Sequence, residues 1–185
     1  MPQLGPATPA PPSPAGGAGV VVRRARTGDV PRIEALVEEY SGERILLAKE
    51  RVTLYEAVPE FLVAVDPHGV VVGCGAVHVL WEDLGEVRTL AVDRAWRGRG
   101  VGHAVLAELL AQGRELGLSR LFCLTFEVDF FTRHGFRVID GTPVAPEVYA
   151  AMLRSMDEGV AEFLDLARVK PNTLGNTRML RELDQ

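Results

Sequence analysis

The hexapeptide Arg97-Gly98-Arg99-Gly100-Val101-Gly102 carries the clearest chemical potential in this 185-residue chain. Glycines at alternate positions let the backbone approach a ligand closely, the arginines add positive charge, and the residues that follow have helical spacing. Unpaired NH groups and the positive end of a helix dipole at such a junction favour a phosphate. Two common phosphate loops are excluded by spacing. A Walker loop closes with Gly-Lys-Ser/Thr, whereas Gly102 is followed by His103 and Ala104. A dinucleotide loop, Gly-x-Gly-x-x-Gly, would need glycine at position 103 when counted from Gly98.

Just before the loop, Glu86 and Arg88 stand two residues apart in the run Glu86-Val-Arg-Thr-Leu-Ala-Val92. Strand alternation places Glu86, Arg88, Leu90 and Val92 on one face, so an acid and a cation sit side by side on a strand that ends at the phosphate loop. Glu127, after the apolar run Leu121 to Phe126, is a second carboxylate able to face the same cleft. His68, His78, His103 and His134 show no triad or ligand spacing and read as structural. Cys74 and Cys123 lie in strand-like runs and read as buried free thiols. No metal site is expected.

The elements that position these residues follow from periodicity. Glu86 to Val92 is β-branched and alternating, and His103 to Leu116 continues from Val101 with Val105, Leu106, Leu109 and Leu110 as a core-facing stripe. Strand, glycine loop and helix therefore form one unit. Upstream, Val20 to Ala25 reads as a strand and Val30 to Tyr40 as a helix. Ile45 to Val58 reads as one or two short helices, and Phe61–Val65 with Val70–Leu80 as an antiparallel hairpin turning at Asp66-Pro-His-Gly69. Downstream come a central strand at Leu121 to Phe126, a short helix at Glu127 to His134, a strand at Phe136 to Ile139, helices within 146–156 and 160–167, and a closing strand within 176–183. This succession is an α/β fold, a mixed central sheet flanked by helices in a single domain over 20–185. Residues 1–19, almost entirely Pro, Ala and Gly, read as a disordered tail. A net charge of −5 and a pI near 5.4 exclude the basic face of a nucleic-acid binder. No apolar run reaches membrane-spanning length, and a cytoplasmic location is expected.

The pattern Arg-x-x-Gly-x-Gly after Leu90-Ala-Val-Asp93, together with the turn Phe131-Thr-Arg-His-Gly-Phe136, resembles the GNAT superfamily of acyl-CoA-dependent N-acyltransferases. The resemblance implies that Arg97 to Gly102 holds the pyrophosphate of acetyl-CoA, that backbone NH groups at Leu90, Ala91 and Val92 polarise the thioester carbonyl, and that Phe131 borders the coenzyme. It implies Glu86 as the base that deprotonates the acceptor amine, with Glu127 as the fallback. The chain departs from the family at Phe131, where a tyrosine acid often stands. The stretches 45–56, 85–89 and 169–178 further resemble the short-form amino-acid N-acetyltransferases that make N-acetylglutamate at the start of arginine synthesis. That implies a small amino acid as partner beside acetyl-CoA, with Lys49, Arg88, Lys170, Asn176 and Arg178 as its ligands; the acidic charge and the lack of a spanning run leave no nucleic-acid or membrane partner expected, and a homodimer is the expected assembly. Acetylation of another small amine or a protein N-terminus, or a non-catalytic acyl-CoA sensor, are the alternatives.

Overall fold

A computed structural model describes residues 19–41, 50–169 and 175–184. The Pro/Ala/Gly tail, apart from Gly19, and the stretch Ile45 to Lys49 lie outside the described residues, as does Lys170. Seven strands among them form one sheet: β1 (Val21–Arg24), β2 (Phe61–Val65), β3 (Val71–Trp81), β4 (Leu84–Val92), β5 (Arg120–Thr125), β6 (Arg137–Val138) and β7 (Thr177–Glu182), in the order β1-β2-β3-β4-β5-β7-β6. Neighbouring strands are antiparallel except for β4 and β5, which run parallel. The helix α3 (Val101–Glu115) forms the crossover between that parallel pair.

Helices cover both faces because both faces are apolar. On one, Val101, Val105, Leu106 and Leu109 of α3 are at most 1% exposed and pack on Leu62, Val72, Val77 and Val87. Burying each such side chain contributes about 1.5–3 kcal/mol. Phe131 of α4 (Val128–Arg133) and Phe136 join this layer. The other face is divided. Helices α1 (Val30–Ser41) and α2 (Arg51–Glu56) cover the β2–β3 half with Ile33, Leu36, Val37 and Leu54. Helices α5 (Pro146–Met152) and α6 (Glu158–Phe163) cover the β5–β7 half with Met152, Val160 and Phe163. The expected elements are all present where the structure describes them.

The alternation expected along β4 is broken. Cys74 pairs with Ala91 but Ala76 pairs with Arg88, so Thr89 and Leu90 together oppose the single residue Gly75. This is a β-bulge, and Thr89 takes the left-handed φ of 58° that lets the extra residue fit. Beyond the bulge the side chains change faces. Glu86 and Arg88 lie on the α1/α6 side opposite His78 and Ala76, whereas Leu90 and Val92 pack into the α3 layer. The shared face expected for Glu86, Arg88, Leu90 and Val92 is therefore corrected: it holds for the first pair and is inverted for the second.

Candidate active site

β4 and β5 are paired only over Leu84–Glu86 and Arg120–Phe122. A bulge bends its strand and increases its twist, and beyond Glu86 the two strands part. A cavity of about 960 Å³ fills the gap, lined by Arg88 to Val92 on one side and Leu124 to Glu127 on the other. The backbone groups of Leu90, Ala91 and Val92 that would have bonded β5 thus border a cleft. Phe131 also lines it, held edge-on against Phe130 and Phe136 with centroids 5.3 and 5.1 Å away.

The glycine loop sits at one mouth of the cavity. Gly98 and Gly100 have φ of 75° and 84°, a left-handed conformation that side chains disfavour. Gly100 caps α3, whose first NH groups have no partner within the helix. Gly102 has an ordinary helical backbone, and a Cβ there would meet Phe130 at an ordinary 3.5 Å, so neither φ nor packing within the chain requires glycine at this position. The Arg97 Nε donates to the Tyr40 hydroxyl at 3.1 Å, and its guanidinium lies 5.0 Å above the Tyr40 ring. That hydroxyl donates in turn to the Val92 carbonyl oxygen, tying α1, β4 and the loop together. Arg97, Gly98, Gly100, Val101 and Gly102 line the cavity; Arg99 instead stacks over Trp96 at 5.0 Å and is not among the lining residues. Such a loop, with donors converging on a helix start, fits a pyrophosphate.

Glu86 lies deeper, 3% exposed, where the parallel pairing stops. Its Oε2 is 3.9 Å from Arg88 Nη1. Arg88 belongs to a closed charge ring. Its Nη2 reaches Glu60 Oε2 at 3.1 Å and its Nη1 reaches Asp157 Oδ2 at 3.2 Å. The same two carboxylates flank His78, with Glu60 Oε1 at 2.8 Å from Nδ1 and Asp157 Oδ2 at 3.5 Å from Nε2. Burial pushes the Glu60 and Asp157 carboxyls up, but His78 and Arg88 outweigh it and hold both below the usual range. Burial likewise works against the Arg88 cation, and the surrounding carboxylates, Glu86 first, more than offset it. Asp157 also caps α6 by accepting from the Val160 amide at 3.1 Å. Glu127, by contrast, is exposed at the start of α4 and reaches the cavity from its rim.

The remaining expected ligands separate. Asn176 lines the cavity. Arg178 does not: its guanidinium donates to the carbonyl oxygens of Glu162 and Phe163 at 2.6 Å and of Gly141 at 3.0 Å, and lies 5.2 Å over Phe122. It satisfies the carboxyl end of α6 and stands outside the cavity lining, apart from the other residues expected to hold the substrate. Lys49 and Lys170 lie outside the described residues. Sequence reasoning missed Glu60 and Asp157 and read His78 as structural without its partners; the three meet from the turn before β2, the cap of α6 and β3 respectively. The one signal available was the cap pattern of Asp157 before a helical run.

A sheet parted at its parallel pair, with a phosphate loop at one mouth and a buried acid at the other, is the architecture of acyl-CoA-dependent acyltransferases. The chain belongs to the acetyltransferase (GNAT) family, whose pattern matches residues 31–136. Among individual proteins, it is 64% identical over 162 residues to an amino-acid acetyltransferase of Mycobacterium tuberculosis, an overlap of 86% of this chain and 92% of that one. It is similar to the crystal structure of Rv2747 from Mycobacterium tuberculosis in complex with CoA and NLQ, with a TM-score of 0.86 and 63% identity over 89% of this chain and 99% of that one. N-acetylglutamate synthase from Neisseria gonorrhoeae, complexed with coenzyme A and N-acetyl-glutamate, matches with a TM-score of 0.71 and 26% identity; the match covers 90% of this chain and 35% of that longer one.

Proposed function

We propose that this protein is an acetyl-CoA-dependent N-acetyltransferase acting on the α-amine of glutamate or glutamine, at the entrance to arginine biosynthesis. The observation that carries the reading is the burial of Glu86 beside Arg88 at the point where β4 and β5 part, in the same cavity as the glycine loop. The similarity to amino-acid acetyltransferases supports it. Bound acetyl-CoA supplies an activated acyl group on a thiol leaving group.

The chain's own residues divide the remaining work. The loop and the start of α3 hold the pyrophosphate. Backbone NH groups of Leu90 to Val92, freed by the parted strands, polarise the acyl carbonyl. An amino-acid ammonium cannot attack until it loses a proton, and Glu86 accepts it directly or through one water. With Phe131 in place of a hydroxyl-bearing ring, the thiolate takes its proton from solvent. Arg88 faces the acceptor from a fixed position set by Glu60 and Asp157. Among the described lining residues the acceptor end carries Glu86, Asp157, Glu158 and Glu162 against Arg88. This balance favours the neutral amide of glutamine, while Lys49 and Lys170 are the further donors for a second carboxylate.

Thiol release from acetyl-CoA with a panel of free amino acids and peptides tests the reading. Glutamine and glutamate should give the highest kcat/KM. Turnover best on a peptide amine, or on none, would overturn it.

A further inference from the structure

At the start of α3 the cavity-lining His103 meets a second histidine outside the lining, a pair that acyl transfer does not use. His103, in the first turn of α3, and His134, at the end of α4, bring Nδ1 and Nε2 within 2.7 Å, and their rings stack with centroids 4.9 Å apart. Phe130 completes the cluster, 4.9 Å from His103 and 5.2 Å from His134. Two imidazoles at this distance share a proton, one nitrogen donating and the other accepting with its lone pair.

His134 is suited to be the acceptor. Burial lowers its pKa, and the charges of His103 and Arg181 lower it further. Arg181 reaches it from β7 by donating to the His134 carbonyl oxygen. Arg97 of the loop and Glu127 at the start of α4 line the same cavity as His103, while Arg99 turns away over Trp96. His103 follows Gly102 directly and lines the cavity, and its Nδ1 is occupied by His134, which leaves Nε2 for a ligand. An anion seated at the helix start offsets the repulsion between the dipole's positive end and an imidazolium.

We propose that His103 is a coenzyme-binding residue that becomes an imidazolium on binding, donating Nδ1–H to His134 and Nε2–H to the coenzyme pyrophosphate, with the added proton taken from solvent. His134 is the positioning residue that fixes the ring. This inference rests on the coenzyme-binding reading of the Arg97–Gly102 loop and adds proton linkage to it.

Calorimetric titration of the full chain with coenzyme A in two buffers of different ionisation enthalpy measures the proton directly and needs no variant. The 3′-dephospho form serves as a second probe, because its pyrophosphate does not titrate near neutrality. Net proton uptake is expected with both probes, and affinity should fall from pH 6 to pH 8, with one linked proton allowing up to about tenfold per pH unit. His103→Asn should weaken binding at pH 6, approach the wild type at pH 8 and abolish the uptake. His134→Phe keeps the ring stack and removes the acceptor, and should reduce the uptake. Buffer-independent enthalpy in the wild type, uptake lost with the 3′-dephospho form, or an equal loss at both pH values in His103→Asn would each overturn the inference. A wild type that failed to bind either probe would overturn the coenzyme reading as well.

Discussion

Glu86 and Gly159 are a matched pair. A Cβ on Gly159 would stand 2.1 Å from the Glu86 Oε2 and 3.0 Å from the Asp157 Oδ1, so the carboxylate occupies the space that the missing side chain leaves. Gly159→Ala should therefore move the acid without touching the coenzyme loop: kcat falls at least about tenfold, consistent with the sensitivity of catalysis to small displacements, while coenzyme A affinity by calorimetry stays unchanged. Glu86→Gln removes the base itself. Its kcat should fall about 10²- to 10⁴-fold at pH 7 and recover in part at high pH, where the amine is already free. Near-normal turnover at pH 7 would move the role to Glu127 or to solvent. Arg88→Gln has two effects because Arg88 has two tasks. The KM for the amino acid should rise about 10- to 100-fold, the equivalent of a lost charged hydrogen bond, with coenzyme KM unmoved. The melting temperature should drop as well, more at pH 7 than near pH 4, because Glu60 and Asp157 lose a shared cation that only their charged forms need. An unchanged melting temperature would show that the charge ring does not hold the fold.

Among the elements, β4 decides the site, and it is the one the sequence describes least. A strand read by alternation alone puts Leu90 and Val92 beside Glu86, whereas the bulge at Thr89 turns them to the α3 layer. No residue type announces that bulge, since a left-handed threonine is uncommon and costs about 1–3 kcal/mol, so its signal lies in the packing around it. The loop was legible for the opposite reason: Gly98 and Gly100 stand where φ is positive, and composition and conformation agree. The charge ring of Glu60, His78, Arg88 and Asp157 was illegible because it joins positions up to 97 residues apart through side chains that any surface could carry. Gly100 and Gly102 separate the two things a glycine supplies. Gly100→Val forces a branched residue into φ of 84° at the helix cap and should weaken acetyl-CoA binding more than tenfold with a lower melting temperature. Gly102→Ala meets Phe130 at an ordinary 3.5 Å, so stability should hold and any loss should be confined to coenzyme affinity.

The whole molecule is built to be stable at neutral pH and to weaken in acid. Asp29, paired with Arg23 at 2.7 Å, is held below the usual carboxylate range by that hydrogen bond, and Glu60 and Asp157 are held low by their ring. A carboxyl with a depressed folded pKa contributes stability that is present above its unfolded pKa and is lost as pH falls through its folded one. His134, a base with a depressed pKa, begins to oppose folding earlier, below the ordinary histidine value of about 6.5. The melting temperature should stay level from pH 8 to 7, decline below about 6.5, and decline again in the carboxylate range; His134→Phe should flatten the first step, and a rise on going from pH 7 to 5 would contradict the scheme. The two cysteines belong to this scale too. Cys74 is fully buried with its thiol pushed up to about 12 by that burial, and Cys123 is 1% exposed and raised well above its ordinary value. Neither presents a thiolate to a reagent in solution while the fold holds. A disulfide dye added to the working enzyme therefore has one thing to report, the coenzyme A set free at each turnover, and a burst of colour beyond it counts unfolded molecules.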